Sequence, residues 1–216
     1  MACHQWDIME LKGKIIITSV FTAIYLFLIA YNLSHSSQWL FDNLIAIVML
    51  FLIFASSRWL NLGIVEFVLL NSLILLHNLG SFGFYSWRIG IVEYDSLVHF
   101  ISAFIGAYII FHLIAQQLHM RRLQHVAKTI IDERLLLLFL VMSSVAMLGT
   151  MVELIEFTRF LYFGEGEGIL FNGAGDSDHQ SDIASNYKDT MGDLFVNTLG
   201  SMMGASAYYF LRCRSR

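Results

Sequence analysis

The chain contains no proline, only two cysteines and few charged residues, which make up 14% of its 216 residues. Cys3 and Cys213 stand near opposite ends, and their spacing fits neither a metal knuckle nor a disulfide framework. Without proline, the breaks between helices have to come from glycine, asparagine, serine and charged residues. So few charged side chains also leave too little polar surface to cover a soluble globule of this size. A disulfide-stabilised domain and an ordinary soluble fold are therefore excluded.

Hydrophobic residues, in contrast, make up 57% of the chain and gather in long runs. A helix that crosses a bilayer needs about 20 mostly apolar residues. Six segments meet this need: 15–31, 39–55, 62–79, 94–115, 135–162 and 189–211. The first run shows no small-residue cleavage pattern, so we interpret it as a retained helix and not a signal peptide. The pattern predicts an all-α, polytopic membrane protein in which residues 1–216 form a single integral domain, a six-transmembrane-helix bundle.

Basic residues indicate the orientation of this bundle. With the N-terminus in the cytoplasm, ten lysines and arginines fall on the cytoplasmic side, and only Arg88, Arg159 and Lys188 fall outside. We therefore expect both termini to be cytoplasmic and residues 164–188 to form an outer loop. The basic stretch 117–133 has the spacing of an interfacial amphipathic helix, for which a topology signal is the simpler explanation and lipid binding the alternative.

Six ionisable side chains interrupt three of the apolar segments, although a charge at the bilayer centre costs roughly 2.5 to 3.5 kcal/mol. They are Asp95, His99, Glu153, Glu156, Asp189 and Asp193. Within each pair the spacing is three or four residues, which places both members on one face of a helix. The predicted topology puts all three pairs at the outer level of the membrane. Three distant segments with polar residues at one depth indicate a site rather than scattered tolerance of charge.

Five carboxylates at one level would repel one another unless protons or a bound cation neutralise them. Carboxylates with one imidazole suit Mg²⁺, Mn²⁺, Zn²⁺ or iron, and the sequence does not distinguish among these. We therefore expect the six residues to bind a divalent metal ion. Glu153 and Glu156 would also supply acid–base chemistry, and Asn197 would orient the substrate or a ligand. The alternative is a structural network in which some carboxylates cap helices or pair with Arg159.

Several other polar residues carry weaker signals. His77 and Asn78 lie near the outer end of the third segment and could add a ligand, although a lone interfacial histidine is more often structural. Glu66, near the opposite end of that segment, is explained by snorkelling or by pairing with a nearby arginine. The acidic outer loop fails the EF-hand template, but His179 and Asp182 could fold over the site as a lid.

Two glycines in the last segment indicate packing rather than chemistry. Gly200 and Gly204 have the small-xxx-small spacing that lets two helices approach closely. We expect a neighbouring helix to pack against them directly below the acidic patch.

Several functional classes are excluded. The chain has no HExxH, GxSxG or Walker motif, and it lacks the histidine clusters of membrane di-iron enzymes. A net charge of −4 gives no support for nucleic-acid binding. We favour a metal-dependent hydrolase or transferase that acts on a lipid or lipid-linked envelope substrate, with membrane lipids as its surroundings. A proton- or cation-coupled small-molecule transporter and a non-enzymatic membrane partner or envelope-stress factor remain as alternatives.

Three motifs in the acidic segments resemble the YjdF-like family of bacterial inner-membrane proteins. They are Tyr94-Asp95-Ser-Leu-Val-His99-Phe100, Glu153-Leu-Ile-Glu156-Phe157, and Asp189-Thr-Met-Gly-Asp193 followed by Gly200. The resemblance covers the C-terminal three-fifths of the chain and implies a small, multi-pass protein of the inner membrane, in a family that is a domain of unknown function. A more distant likeness is to the VanZ-like family, which is linked to glycopeptide resistance and has an Asp-x-x-x-His, Glu and Asp-x-x-x-Asn-x-x-Gly pattern. Similar to it are Asp95/His99, Glu153 and Asp193/Asn197/Gly200, whereas Glu156 stands where that pattern has glutamine.

Overall fold

The computed structural model describes residues 8–35, 39–90, 92–121, 133–163 and 183–213. Within these ranges the chain forms six long helices and one short hairpin. The helices are α1 (Ile8–His35), α2 (Leu40–Ser57), α3 (Ile64–Asn78), α4 (Tyr94–Arg121), α5 (Glu133–Phe163) and α6 (Ile183–Tyr208). The hairpin pairs β1 (Arg88–Ile89) with β2 (Val92–Glu93) in antiparallel register just before α4. The predicted helical fold class is confirmed.

Five of these helices are long and apolar enough to cross a membrane. The spans are Ile8–His35, Leu40–Ser57, Ile64–Phe82, Tyr94–Gln116 and Leu136–Thr158. Among the described residues, α6 does not join them, because Lys188, Asp189, Asp193 and several small residues make it more polar. The chain is therefore a multi-pass membrane protein, whereas its sixth crossing and the cytoplasmic termini stay predictions.

Some helix boundaries differ from the predicted ones. α6 begins at Ile183, so its first turns occupy part of the predicted outer loop 164–188. Asp189 therefore lies inside the helix and does not cap it, and Asp95 lies in the first turn of α4, after its first residue Tyr94. The remainder of that loop, with His179 and Asp182, and most of the predicted interfacial stretch 117–133 lie outside the described residues.

The chain divides into two compact units of three helices each. The first unit contains α1, α2 and α3, which pack around an apolar core of Phe21, Tyr25, Leu28, Ala46 and Leu50. The second contains the hairpin with α4, α5 and α6. Both units bury one face of each helix and leave many large apolar side chains exposed, as lipid-facing helices do.

Two buried charged side chains lie in the first unit, where the loop between α2 and α3 meets α1. The Lys14 ammonium donates to the Leu62 carbonyl at 2.5 Å and pairs with Glu10 at 2.9 Å. Glu66, in the first turn of α3, is only 3% exposed and lies against Gly63. Snorkelling is therefore the wrong explanation of Glu66, because its carboxylate is enclosed by protein.

In the second unit α4 and α6 are in the closest contact. A Cβ atom added at Gly200 or Gly204 would collide with the backbone carbonyls of Phe100 and Phe104, respectively. Since the residue numbers rise together, the two helices run parallel. The small-xxx-small prediction is confirmed, and the packing aligns the early turns of α4 with the middle of α6.

Replacing Gly204 with alanine should lower the stability of the second unit. The new methyl group would meet backbone atoms of Phe104, which cannot rotate away, so we expect a loss of about 1 to 3 kcal/mol. Thermal denaturation of the detergent-solubilised protein, followed by circular dichroism, measures the change. Gly106→Ala is the matched control, because its Cβ would meet no heavy atom within 4 Å. Equal stability of the two variants would contradict the packing argument.

The two native cysteines test the number of crossings. If α6 spans the membrane, Cys3 and Cys213 share one side, and a membrane-impermeant maleimide should label both or neither in sealed vesicles of known orientation. Cytoplasmic termini predict labelling in inside-out vesicles alone. Cys3→Ser and Cys213→Ser variants identify which thiol has reacted. Labelling of one thiol from each side would instead show an odd number of crossings.

Candidate functional site

The predicted site residues meet at one end of the second unit. α5 runs antiparallel to α6, since Gly149 approaches Asn197 and Glu153 interacts with Asp189 further along. Its late turns therefore lie beside the early turns of α4 and α6. Together with the parallel packing of α4 on α6, this arrangement brings the three pairs of acidic and histidine residues into one cluster, although they are far apart in the sequence.

His99 lies at the centre of this cluster, with contacts on both edges of its ring. Its Nε2 atom lies 3.6 Å from Asp95 Oδ1, and its Nδ1 atom lies 3.3 Å from Glu153 Oε1. The side-chain amide of Asn197 is within hydrogen-bonding distance of Nδ1, at 3.2 Å. One imidazole thus connects all three helices of the unit.

Two carboxyl groups meet on the Nε2 side of the ring. Asp193 is hydrogen-bonded to Asp95 and to the Ser96 hydroxyl. Both aspartates are buried, with 2% and 8% of their surfaces exposed. Two carboxylates in contact away from water cannot both be ionised without compensation, so they require either a shared proton or a bound cation.

Two overlapping sets of side chains have the spacing of metal ligands. Asp95, His99 and Asp193 form one set, and His99, Glu153 and Glu156 form the other. Within each set the ligand atoms lie within 4.8 Å of one another. Ligands at about 2.0 to 2.2 Å from a common ion are at most roughly 4.4 Å apart, so small side-chain movements would complete either set.

Asp189 lies at the edge of the cluster and joins neither set. It is partly buried, and its charge interacts with those of Asp193, Glu153 and Glu93. Its predicted role as a ligand is therefore less direct than that of the other five residues.

Three residues near the site were absent from the sequence prediction. Ser96 bonds to Asp193, and Glu93 adds a further negative charge. Gly149 leaves the space that Asn197 occupies, because a Cβ there would lie 2.9 Å from the Asn197 amide nitrogen. The position of Gly149 one helical turn before Glu153 places it on the same face of α5, but only the structure shows that Asn197 fills its space.

The hairpin before α4 holds the first turn of the site. Arg88 and Glu93 are paired across its strands, with an ion pair of 2.7 Å, and Gly90 adopts a φ of 67° in the turn. The Tyr94 amide donates to the Trp87 carbonyl at 3.0 Å. These contacts fix where α4 begins, and thereby the position of Asp95. Strands of two residues are too short to show an alternating pattern in the sequence.

The weaker candidates lie elsewhere. His77 and Asn78 belong to the first unit, where His77 Nε2 lies 3.4 Å from Asp42 Oδ1 and the Asn78 amide donates to the Ile74 carbonyl. His179, Asp182 and the side chain of Arg159 lie outside the described part of the chain, so the lid and the arginine pairing stay predictions.

Fold and site together define a multi-pass helical membrane protein with a buried cluster of carboxylates around one histidine. The chain belongs to the family described as "Predicted membrane protein (DUF2238)", which matches residues 14–214 and so spans both units. No curated protein and no solved structure matches the chain. Because the family description names no reaction, the chemistry has to be argued from the site.

Gly149→Ala should separate Asn197 from His99 without unfolding the protein. The methyl group would meet a side chain and not backbone, and the helix-favouring effect of alanine offsets part of the strain, so we expect stability to change by no more than about 1 kcal/mol. The ¹⁵N chemical shifts of the His99 imidazole, assigned by their loss in His99→Ala, should move as they do in Asn197→Ala.

The control for this experiment is Gly192→Ala, since a Cβ at that position meets no heavy atom within 4 Å. It should leave the His99 signals unchanged. Unshifted signals in Gly149→Ala would contradict the contact between the amide and the imidazole.

Proposed function

We propose that this protein is a metal-dependent membrane enzyme, a hydrolase or transferase that acts on a lipid or lipid-linked envelope substrate. The observation that carries the proposal is the contact between two buried carboxyl groups, Asp95 and Asp193, beside the Nε2 edge of His99. A divalent cation neutralises such a pair and gains an imidazole ligand from the same position.

The ligand set that best fits is Asp95, His99 and Asp193. Metal-bound histidines usually donate their other ring N–H to a carboxylate or a carbonyl, which fixes the tautomer. Glu153 lies on that edge of the ring, with Oε1 3.3 Å from Nδ1, and once Nδ1 carries the proton its carboxylate would orient the ring rather than bind the ion. Zn²⁺, Mg²⁺, Mn²⁺ and iron all accept such a set, and each could activate a bound water molecule.

Glu156 and Asn197 would then serve the reaction itself. Glu156 lies one turn from Glu153 on α5, close enough to His99 to share its second set of potential ligands, and it is less buried than its neighbour. We assign it the transfer of a proton to or from the substrate. Asn197 would orient the imidazole or a polar group of the substrate.

The surroundings of the site favour a lipid substrate. Leu154 and Ile155 on α5, and Met191 and Phe195 on α6, are exposed apolar side chains that alternate with the buried site residues. An acyl or polyprenyl chain in the bilayer can pack on these faces while its polar group enters the acidic cluster. A water-soluble substrate would not need exposed apolar side chains beside the site.

The location of the site is part of the proposal. A sixth crossing by α6, with both termini in the cytoplasm, would place the cluster at the outer leaflet. The YjdF-like motifs, all within the matched residues, favour the bacterial inner membrane. A transporter is less well supported, because small residues such as Ala103, Ala107 and Ala205 close the described interior of the second unit below the site.

Elemental analysis of the detergent-purified protein tests the metal directly. We expect about one equivalent of a divalent metal ion in wild type and its loss in Asp193→Asn and His99→Ala. Glu153→Gln should weaken binding by roughly 10 to 100-fold, the usual effect of removing the partner of a metal-bound histidine.

Asp42→Asn is the matched control for this test, since it neutralises a carboxylate that is also buried but belongs to the first unit. It should retain the divalent ion. Wild type that stays metal-free after reconstitution with each candidate ion would refute the proposal. The carboxylates would then share protons, and flux measurements in proteoliposomes with Glu153→Gln would test the transporter instead.

A further inference from the structure

A second buried polar cluster lies at one end of the first unit, where α1 and α3 end and α2 begins. Its members come from four positions of the fold: Asn32 on α1, Asp42 and Asn43 on α2, Asn78 at the end of α3, and Ser81 in the 3₁₀ turn Leu79–Phe82. Each is at most 9% exposed. A polar group buried this deeply needs a partner, because its desolvation is otherwise uncompensated.

The amide nitrogens in this cluster are satisfied. Asn32 and Asn43 both donate to the Ser81 hydroxyl oxygen, at 3.1 and 3.3 Å. Asn43 also donates to the Trp39 carbonyl, and Asn78 to the Ile74 carbonyl, each at 2.7 Å. A carbonyl oxygen can only accept, so these two bonds fix which atom of each amide is the nitrogen.

The amide oxygens are the exception. Among the described residues, the Oδ1 atoms of Asn32, Asn43 and Asn78 have no hydrogen-bond partner. Three buried carbonyl-type oxygens without a donor are an unusual concentration, since at least nine in ten buried polar groups are paired. Each of these oxygens can accept a hydrogen bond or coordinate a cation, and one cation could coordinate all three of them.

The electrostatics of this end of the unit also favour a cation. The C-terminal ends of α1 and α3 carry partial negative charge, and Asp42 contributes a buried carboxylate. The beginning of α2 opposes them with one partial positive charge. His77, whose Nε2 atom lies 3.4 Å from Asp42 Oδ1, is partly exposed, so the cluster comes close to the surface of the unit at this residue.

We propose that this cluster is a binding site for a monovalent cation of the sodium class. Its ligands would be the Oδ1 atoms of Asn32, Asn43 and Asn78 and the Asp42 carboxylate. The Ser81 hydroxyl, whose oxygen already accepts from two amides, would hold Asn32 and Asn43 in place. Oxygen ligands at helix C-terminal ends suit a hard alkali ion. A single carboxylate among neutral oxygens balances one positive charge, whereas a tightly held Ca²⁺ normally takes several carboxylates.

Direct binding of ²²Na⁺ to the detergent-purified full-length protein tests the site. We expect saturable binding of about one equivalent, which unlabelled Na⁺ displaces and choline does not. Asn43→Leu should weaken this binding at least tenfold, because it removes a ligand and keeps the apolar contacts. Ser81→Ala, which releases the Asn32 and Asn43 amides that the hydroxyl holds, is a milder second variant, and it keeps the test valid if Asn43→Leu does not fold.

Asn71→Leu is the matched control. Asn71 is also fully buried on α3, it makes the same bond to the carbonyl four residues earlier, and its Oδ1 atom also has no partner among the described residues. It lies two turns before Asn78, outside the cluster, so ²²Na⁺ binding should persist in this variant.

Thermal unfolding gives an independent readout. At constant ionic strength, replacing choline by sodium at about ten times its Kd should raise the apparent Tm of wild type by roughly 3 to 5 °C, and that of Asn43→Leu by no more than about 1 to 2 °C. No saturable ²²Na⁺ binding in wild type would overturn the proposal and leave buried water as the partner of the amides. Displacement of ²²Na⁺ by micromolar Ca²⁺ would overturn the assignment to a monovalent ion.

Discussion

Close packing of α4 on α6 is the constraint on which the site depends. Gly200 and Gly204 let α6 rest on the backbone of α4, and this sets the register in which Asp193 reaches Asp95 and Asn197 reaches His99. In lipid there is no hydrophobic force to hold two helices together, so close backbone contact and polar side-chain contacts supply the attraction. In this unit the same two helices provide both.

The sequence predicted much of this arrangement. Intramembrane charge is costly, so residues such as His99 and Glu153 stood out against an apolar background, and helical periodicity then placed each pair on one face. Other features had no comparable signal. The hairpin before α4 depends on two-residue strands and on Gly90, and the role of Gly149 depends on which helix faces it.

The two buried clusters differ in the donors they offer, and this difference separates their chemistry. Around His99 there are several carboxylates and one nitrogen, a set that suits a divalent Lewis acid. Around Ser81 there are neutral amide oxygens with one carboxylate, a set that suits a weakly held single charge. Hydropathy does not reveal this difference in donor atoms, because asparagine and aspartate interrupt an apolar segment to a similar degree.

The order of the helices has a consequence for how the protein is made. Because α6 follows α4 and α5 in the chain, it leaves the ribosome after both of them. It is also the helix least able to enter lipid alone, since Lys188, Asp189 and Asp193 interrupt it. The partners of its polar face, including Asp95 and Ser96, are already in place on α4. Should α6 cross the membrane, its insertion and the assembly of the acidic cluster are therefore expected to occur together during biogenesis.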